Sequence, residues 1–308
     1  MEKISRLLQA VINVIRGALI GLAELVPGVS GGTIALLVGV YERVLDAGIE
    51  ILGLVKALFT DRASLRSRVR GIDWLLIVPL LLGMAFCVFS MAGVLAGFVG
   101  NYPQIARALF LGMVLVSIYV PLSMADRTEL RTRPWLWLLW LVAAVLTFIG
   151  TGFTSTPQPN PSYLVIFVAA AIAVCALVLP GVSGSYFLLA VGLYQSVMTA
   201  VAARNIPFLA VFLLGAITGI TIFINLLHWL LAHRRTATLL TMAGLMTGSL
   251  RALWPWQSAD ADLLAPAANW PAILGWVALG AAIVVTILLA ERFAKKDAPA
   301  AELAELER

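Results

Sequence analysis

Two short stretches place hydroxyls and glycines directly after a proline, a pattern suited to holding an anion. Pro27-Gly28-Val29-Ser30-Gly31-Gly32-Thr33 is answered by Pro180-Gly181-Val182-Ser183-Gly184-Ser185. Proline disfavours helical backbone in the residue before it, and glycine permits conformations that other residues resist. Ser30 and Thr33 in one copy, and Ser183 and Ser185 in the other, suit the cap of the helix that starts next. The free N–H groups of a helix start, with its positive dipole end, favour an anion such as phosphate. The candidate phosphate-binding set is therefore Ser30, Gly31, Gly32, Thr33, Ser183, Gly184 and Ser185. The bland alternative is a plain helix-breaking turn.

Charged residues within apolar sequence extend the set. Glu24 lies three positions before Pro27, where it can accept a proton, pair with an arginine or shape the turn. Leu177 stands at its equivalent in the second copy. Glu42 and Arg43, with Asp46 one turn on, either serve a proton-coupling or pairing role or lie at the interface. Arg251 and Arg107 are candidates to neutralise a phosphate, although Arg107 is near a segment end and can snorkel. For Asn225 and His228 the simple expectation is a hydrogen bond between helices. The tryptophans at 135, 137, 140, 254, 256, 270 and 276 read as an aromatic belt.

The elements that must position these residues lie in a membrane. Of 308 residues, 61% are hydrophobic and only 12% charged, and mean hydropathy is +0.99. Soluble domains carry about 25% charged residues. Ten apolar segments follow one another at about 8–26, 29–51, 74–99, 104–122, 135–152, 162–179, 183–203, 207–231, 237–253 and 271–290. Basic residues crowd alternate connections: Lys56 to Arg70, Arg127 to Arg133, His233 to Arg235, and Arg292 to Lys296. The positive-inside rule then puts both termini in the cytoplasm. Arg204 is the one basic residue left on the outer side. Net charge of +5 is explained by these loops, so nucleic acid is not an expected partner. Arg16 interrupts the first segment and no small-residue cleavage site follows, so it is read as retained and not as a signal peptide.

The motif match continues beyond the turn. Positions 27–44 and 180–197, at a constant offset of 153, share ten identities in eighteen, including Gly39/Gly192, Tyr41/Tyr194 and Val44/Val197. Leu81-Leu82-Gly83 matches Leu213-Leu214-Gly215, and Gly112 and Ser117 match Gly244 and Ser249, all at offset 132. Two halves of five segments each follow. An odd number makes the second copy cross in the opposite sense, and inverted repeats with broken helices are a recurring transporter design. The expected fold is an all-α polytopic membrane protein: a first repeat at 1–156, an inverted repeat at 157–292 and a cytoplasmic tail at 293–308. Each repeat has a broken or re-entrant helix pair at its PGVSG turn.

Other chemistries are poorly served. There is no Walker-type nucleotide loop and no HExxH or paired-cysteine metal site. Cys87 and Cys175 lie in apolar stretches and read as small hydrophobes. With two histidines, no Ser-His-acid set can be placed. No metal or cofactor is implied.

The stretches ELVPGVSGGTIALLVGVYERV and LPGVSGSYFLLAVGLYQSV resemble the paired signatures of the bacterial polyprenyl-phosphate transporter family, the PopT type, over essentially the whole chain. The resemblance implies a multi-pass protein of the bacterial cytoplasmic membrane that is not an enzyme. It would return undecaprenyl phosphate, or a similar polyprenyl phosphate, from outer to inner leaflet, with the seven turn residues lining the phosphate site. Family members often carry Asp where this chain has Glu24. Membrane lipids are the other expected partners, and a homo-oligomer is compatible with the chain. Two alternatives stand beside it. A membrane-embedded lipid pyrophosphate phosphatase also uses inverted repeats and a Pro-Gly-x-Ser turn, but would need carboxylates beside the serine. A carrier or channel for a small inorganic anion would suit the same turns.

Overall fold

Helices that are apolar on every side cannot choose partners by an amphipathic stripe, so close packing of small residues has to do it. In the computed structural model the described residues are 2–24, 30–60, 65–153, 161–258 and 261–297. Pro27, Gly28 and Val29, the charged pair Asp61 and Arg62, Asp260, the charge-free stretch 154–160 and the tail from 298 lie outside them. Among the described residues every regular element is helical, apart from one bridge between Gln257 and Leu263.

The chain begins with α1 (Glu2–Glu24), α2 (Gly31–Leu37), α3 (Tyr41–Thr60), α4 (Leu65–Gly71) and α5 (Trp74–Asn101). It continues through α6 (Pro103–Ser117), α7 (Tyr119–Met124), α8 (Arg127–Thr132) and α9 (Leu136–Gly150). After that come α10 (Tyr163–Val178), α11 (Gly184–Ala190), α12 (Tyr194–Ala202), α13 (Ile206–His233) and α14 (Arg235–Ser249). A 3-10 turn (Leu250–Leu253) leads towards α15 (Trp270–Asp297). Among the described residues five helical stretches are long and apolar enough to cross a membrane: Arg6–Glu24, Trp74–Met91, Pro103–Met124, Ile206–His233 and Trp270–Leu289. The apolar α9 and α10 are shorter, at 15 and 16 residues. Large side chains point outwards, Phe89 with 89% of its surface exposed, as a lipid-facing wall requires.

Two of the ten expected segments break at a left-handed glycine. The stretch 29–51 breaks into α2 and α3, and 183–203 into α11 and α12. The cause is the same in both. Gly39 and Gly192 adopt φ of 70° and 73°. Around them Val40 N–H donates to Ala35 and Gly39 N–H to Leu36, as Leu193 does to Leu188 and Gly192 to Leu189. That is a Schellman end to a seven-residue helix, after which Tyr41 or Tyr194 starts a new one.

Among the longer helices, four described pairs approach closely enough that a Cβ on a glycine would fall on the partner's backbone carbonyl. In α1 and α5, Gly17 lies on Leu80 and Gly83 on Val14; in α10 and α13, Gly215 lies on Phe167 and Gly219 on Ala171. Gly17 with Leu80 and Gly21 with Met84 rise together along α1 and α5, as Phe167 with Gly215 and Ala171 with Gly219 do along α10 and α13, so both pairs run parallel. The segments between them must therefore bring the chain back to its starting side. The other two pairs each join one half of the sequence to the other. Gly112 of α6 packs on Val277 of α15, while Gly244 and Gly248 of α14 pack on Trp140 and Ala144 of α9. The glycines matched at offset 132, Gly83 with Gly215 and Gly112 with Gly244, thus make corresponding contacts.

Polar contacts sort the connections into two ends. At one, Arg43 meets Asp73 at 2.6 Å, the Asp126 N–H donates to Thr236 Oγ1 at 3.4 Å, and Arg235 pairs with Glu42. Basic connections cluster here. At the other, Asn269 donates to Gln104 at 2.8 Å and Arg251 reaches the carbonyl of Phe148. Helix starts are capped as their sequences suggest: Asp73 accepts from Leu76 N–H and Asn205 from Phe208 N–H.

Candidate functional site

Register places Glu24, at the end of α1, deep in the molecule. The contacts of Gly17 and Gly83 set Glu24 opposite the neighbourhood of Ser90 in α5. At 1.5 Å per residue that is roughly 24 Å from the start of α5 and 17 Å from its end. On the second copy, Gly181 (φ 84°) lies against the backbone of Met246 in α14. A Cβ there would sit 2.5 Å from the Met246 N and Cα atoms.

At this depth the two copies touch. Helix α10 ends before Pro180, leaving the carbonyls of Val178 and Leu179 without helical partners. Side chains of the first copy supply them. The Ser30 hydroxyl donates to Leu179 at 2.9 Å, and the Tyr41 hydroxyl to Val178 at 3.1 Å. In return the Gly181 N–H donates to Thr33 Oγ1 at 2.9 Å. Gly32 allows the approach, because a Cβ on it would stand 2.6 Å from the Val178 carbonyl oxygen. Ser30 and Thr33 are 3% and 1% exposed, so both hydroxyls are committed to the junction.

Capping therefore differs from the sequence expectation. Ser30 occupies the N-cap of α2 with extended backbone but makes no side-chain cap. Its hydroxyl bridges to the other copy, and the Glu24 carboxylate caps instead, accepting from the Gly31 N–H at 2.9 Å. The acceptor at that helix start is thus the protein's own. In the second copy Leu177 fills the corresponding space, its Cβ 3.6 Å from where a Gly184 Cβ would be. Ser183 and Ser185 lie at the surface of the junction, their hydroxyls 3.0 Å apart. Ser183 is half-buried and Ser185 exposed.

The remaining candidates are distributed around this centre. Glu42 binds Arg235 of α14 and Arg43 binds Asp73, so the two consecutive residues are paired in opposite directions. Arg251 is five residues beyond Met246, roughly 8 Å along the axis. Its guanidinium turns towards α9, where it stacks 5.0 Å from the Phe148 ring centre and donates to the Phe148 carbonyl at 3.3 Å. A cation there complements the C-terminal end of α9. Arg107 is half-buried on α6. Of the two polar residues of α13, His228 does bridge helices, to Asp46 at 3.4 Å. Asn225 does not: it donates to Thr221 within its own helix. Trp256 is 8% exposed and donates to Asn269, so it belongs to the packed end and not to an aromatic belt. Sequence reasoning missed the structural use of Tyr41 and the partner of Glu42. The Tyr41/Tyr194 identity was the available signal for the first.

Among the described residues no cluster of three or more His, Cys, Asp or Glu side chains could hold a metal ion. The arrangement leaves the Ser183 and Ser185 hydroxyls at the surface of the junction, with Arg251 and Arg107 on neighbouring helices.

Known proteins are similar in sequence. A polyprenyl-phosphate transporter of Vibrio cholerae is 32% identical over 243 residues, covering 79% of this chain and 77% of its own. A polyprenyl-phosphate transporter of Staphylococcus aureus is 27% identical over 258 residues, covering 79% of this chain and 86% of its own. No solved structure matches the chain. A family model described as VCA0040-like, undecaprenyl phosphate translocase-like, matches residues 20–269. A chain matched over that length, with both motif copies inside it, belongs to the VCA0040-like, undecaprenyl phosphate translocase-like family.

Proposed function

We propose that this protein carries undecaprenyl phosphate, or a similar polyprenyl phosphate, between the leaflets of the bacterial cytoplasmic membrane, from outer to inner for recycling of the carrier lipid. The observation that carries the reading is the junction of the two PGVSG turns, Ser30 with Leu179 and Gly181 with Thr33. Irregular backbone at membrane depth is tolerated where it is buried in protein or lines a polar cavity. Here it is buried against its own copy, in a family whose matched relatives are named for the lipid phosphate.

The halves at 1–156 and 157–292 are inverted repeats in this reading, with re-entrant turns at their centre. Parallel packing of α1 with α5 and of α10 with α13 supports it, since each motif segment then enters and leaves on one side. The phosphate head first meets the accessible hydroxyls of Ser183 and Ser185 and the N–H of Gly184. Ser30, Gly31, Gly32 and Thr33 are engaged in the junction, and become available as the repeats rock apart. Arg251 and Arg107 supply positive charge from neighbouring helices, and the prenyl tail stays in the hydrocarbon.

Reconstitution tests this. Liposomes holding the protein should move undecaprenyl phosphate, and Ser183→Ala with Ser185→Ala should lower the rate at least tenfold, the scale of one or two lost charge-assisted hydrogen bonds. Unchanged transport in that variant removes the second turn from the site.

A further inference from the structure

The charged side chains at the basic-loop end surround a cavity of about 240 Å3. Glu42, Leu45 and Asp46 of α3 line it with His228 and Leu231 of α13 and Arg235 of α14. Arg235 grips both oxygens of Glu42, Nη1 to Oε2 at 3.0 Å and Nη2 to Oε1 at 2.7 Å. A guanidinium uses this two-pronged geometry for carboxylate and phosphate alike. The pair is one residue along α3 from the junction: Tyr41 holds the Val178 carbonyl, and the next residue holds Arg235.

The second copy is built differently. Gln195 and Thr199 take the positions of Glu42 and Asp46. With Ser196 and Asn205 they line a wider cavity of about 480 Å3, none of whose lining residues is a carboxylate. An internal anion therefore stands at one mouth only.

We propose that Arg235 is the receptor for the phosphomonoester head as it leaves at the basic-loop end, and that Glu42 is a place-holding anion that the head displaces. This rests on the reading of the chain as a polyprenyl-phosphate transporter. Exchange keeps the guanidinium paired throughout, which matters wherever water is scarce. It is also cheap. The Arg235 and Glu42 side chains are 45% and 40% exposed, and pairs so exposed are weak, so the freed carboxylate turns into water. His228, held by Asp46 at 3.4 Å, is the second donor lining the cavity.

Binding to the full chain in detergent provides the test, with a short-chain polyprenyl phosphate and inorganic phosphate as separate probes. Glu42→Gln should tighten lipid-phosphate binding about fivefold, and Arg235→Gln should weaken it about tenfold, as expected for gaining or losing a charged hydrogen bond. A matching trend with inorganic phosphate assigns the site to phosphate as such, and a trend confined to the lipid assigns it to the head group. The reversal Glu42→Arg with Arg235→Glu keeps an ion pair and should restore thermal stability without restoring binding. Restoration of both would reduce the pair to a latch and overturn the proposal. So would binding indifferent to both single changes. Wild-type transport of lipid phosphate in liposomes is measured alongside. If transport occurs and Arg235 has no effect on binding, this inference alone falls; a wild-type protein that moves no lipid phosphate overturns the transport reading itself.

Discussion

The Ser30 hydroxyl donates to the Leu179 carbonyl at 2.9 Å across 149 positions of chain. One copy of the motif thereby completes the broken helix of the other. Because Ser30 is buried, its role in stability and any role in transport are superimposed, whereas Ser185 is exposed and free of that complication.

Ser30→Ala should take the shorter of two donors from the Leu179 carbonyl, leaving the Val182 N–H at 3.3 Å, and cost about 1 kcal/mol. Thermal unfolding in detergent should show a clear drop in midpoint. Ser185→Ala should leave the midpoint nearly unchanged while reducing lipid-phosphate transport. A Ser30→Ala protein as stable as wild type would mean that the junction is not needed to hold the turns.

Glu24 acts on the first turn through one acceptor oxygen. Glu24→Gln keeps an oxygen for the Gly31 N–H and should change stability by less than about 1 kcal/mol, while Glu24→Leu orphans that donor at about 1–3 kcal/mol. Transport by Glu24→Gln then separates charge from geometry. A rate equal to wild type excludes the carboxylate from any proton coupling.

Gly39 and Gly192 stand at equivalent breaks with nearly the same positive φ. Gly39→Ala and Gly192→Ala should each cost roughly 1–2 kcal/mol from left-handed backbone alone. Similar shifts in the two unfolding midpoints would confirm one conformational cause acting twice. A neutral result at either site would show that its break can relax.

The helix contacts separate tight glycines from loose ones. Gly112→Ala puts a methyl on the Val277 carbonyl and should cost about 1–3 kcal/mol by overpacking. Gly97 has nothing within 4 Å of an added Cβ, so Gly97→Ala should be neutral or stabilise α5 by up to about 1 kcal/mol. Comparing the two melting curves checks that close approach, and not helix propensity, governs α6.

Some of this was legible in the sequence and some was not, for physical reasons. The duplicated Pro-Gly-Val-Ser-Gly turn announced two helix breaks, and α10 does stop at Val178. The second break at Gly39 stayed hidden inside a continuous apolar run, although the Gly39/Gly192 identity marked it. Helix partners were the least legible feature. In α10, apolar on every side, no stripe says which face meets α13, and only the glycines record it. The Ser30 bond was equally invisible, because a hydroxyl before a glycine reads as a local cap until the distant carbonyl is seen.

The crossed pairing of α6 with α15 and of α14 with α9 has a consequence for biogenesis. The glycine face of α6 is made early, yet its partner around Val277 follows 165 residues later. The first half therefore cannot mature as a unit while the ribosome is still at work on the second. Severed halves should be unstable when produced singly and should assemble when produced together, each lending the other its final helix.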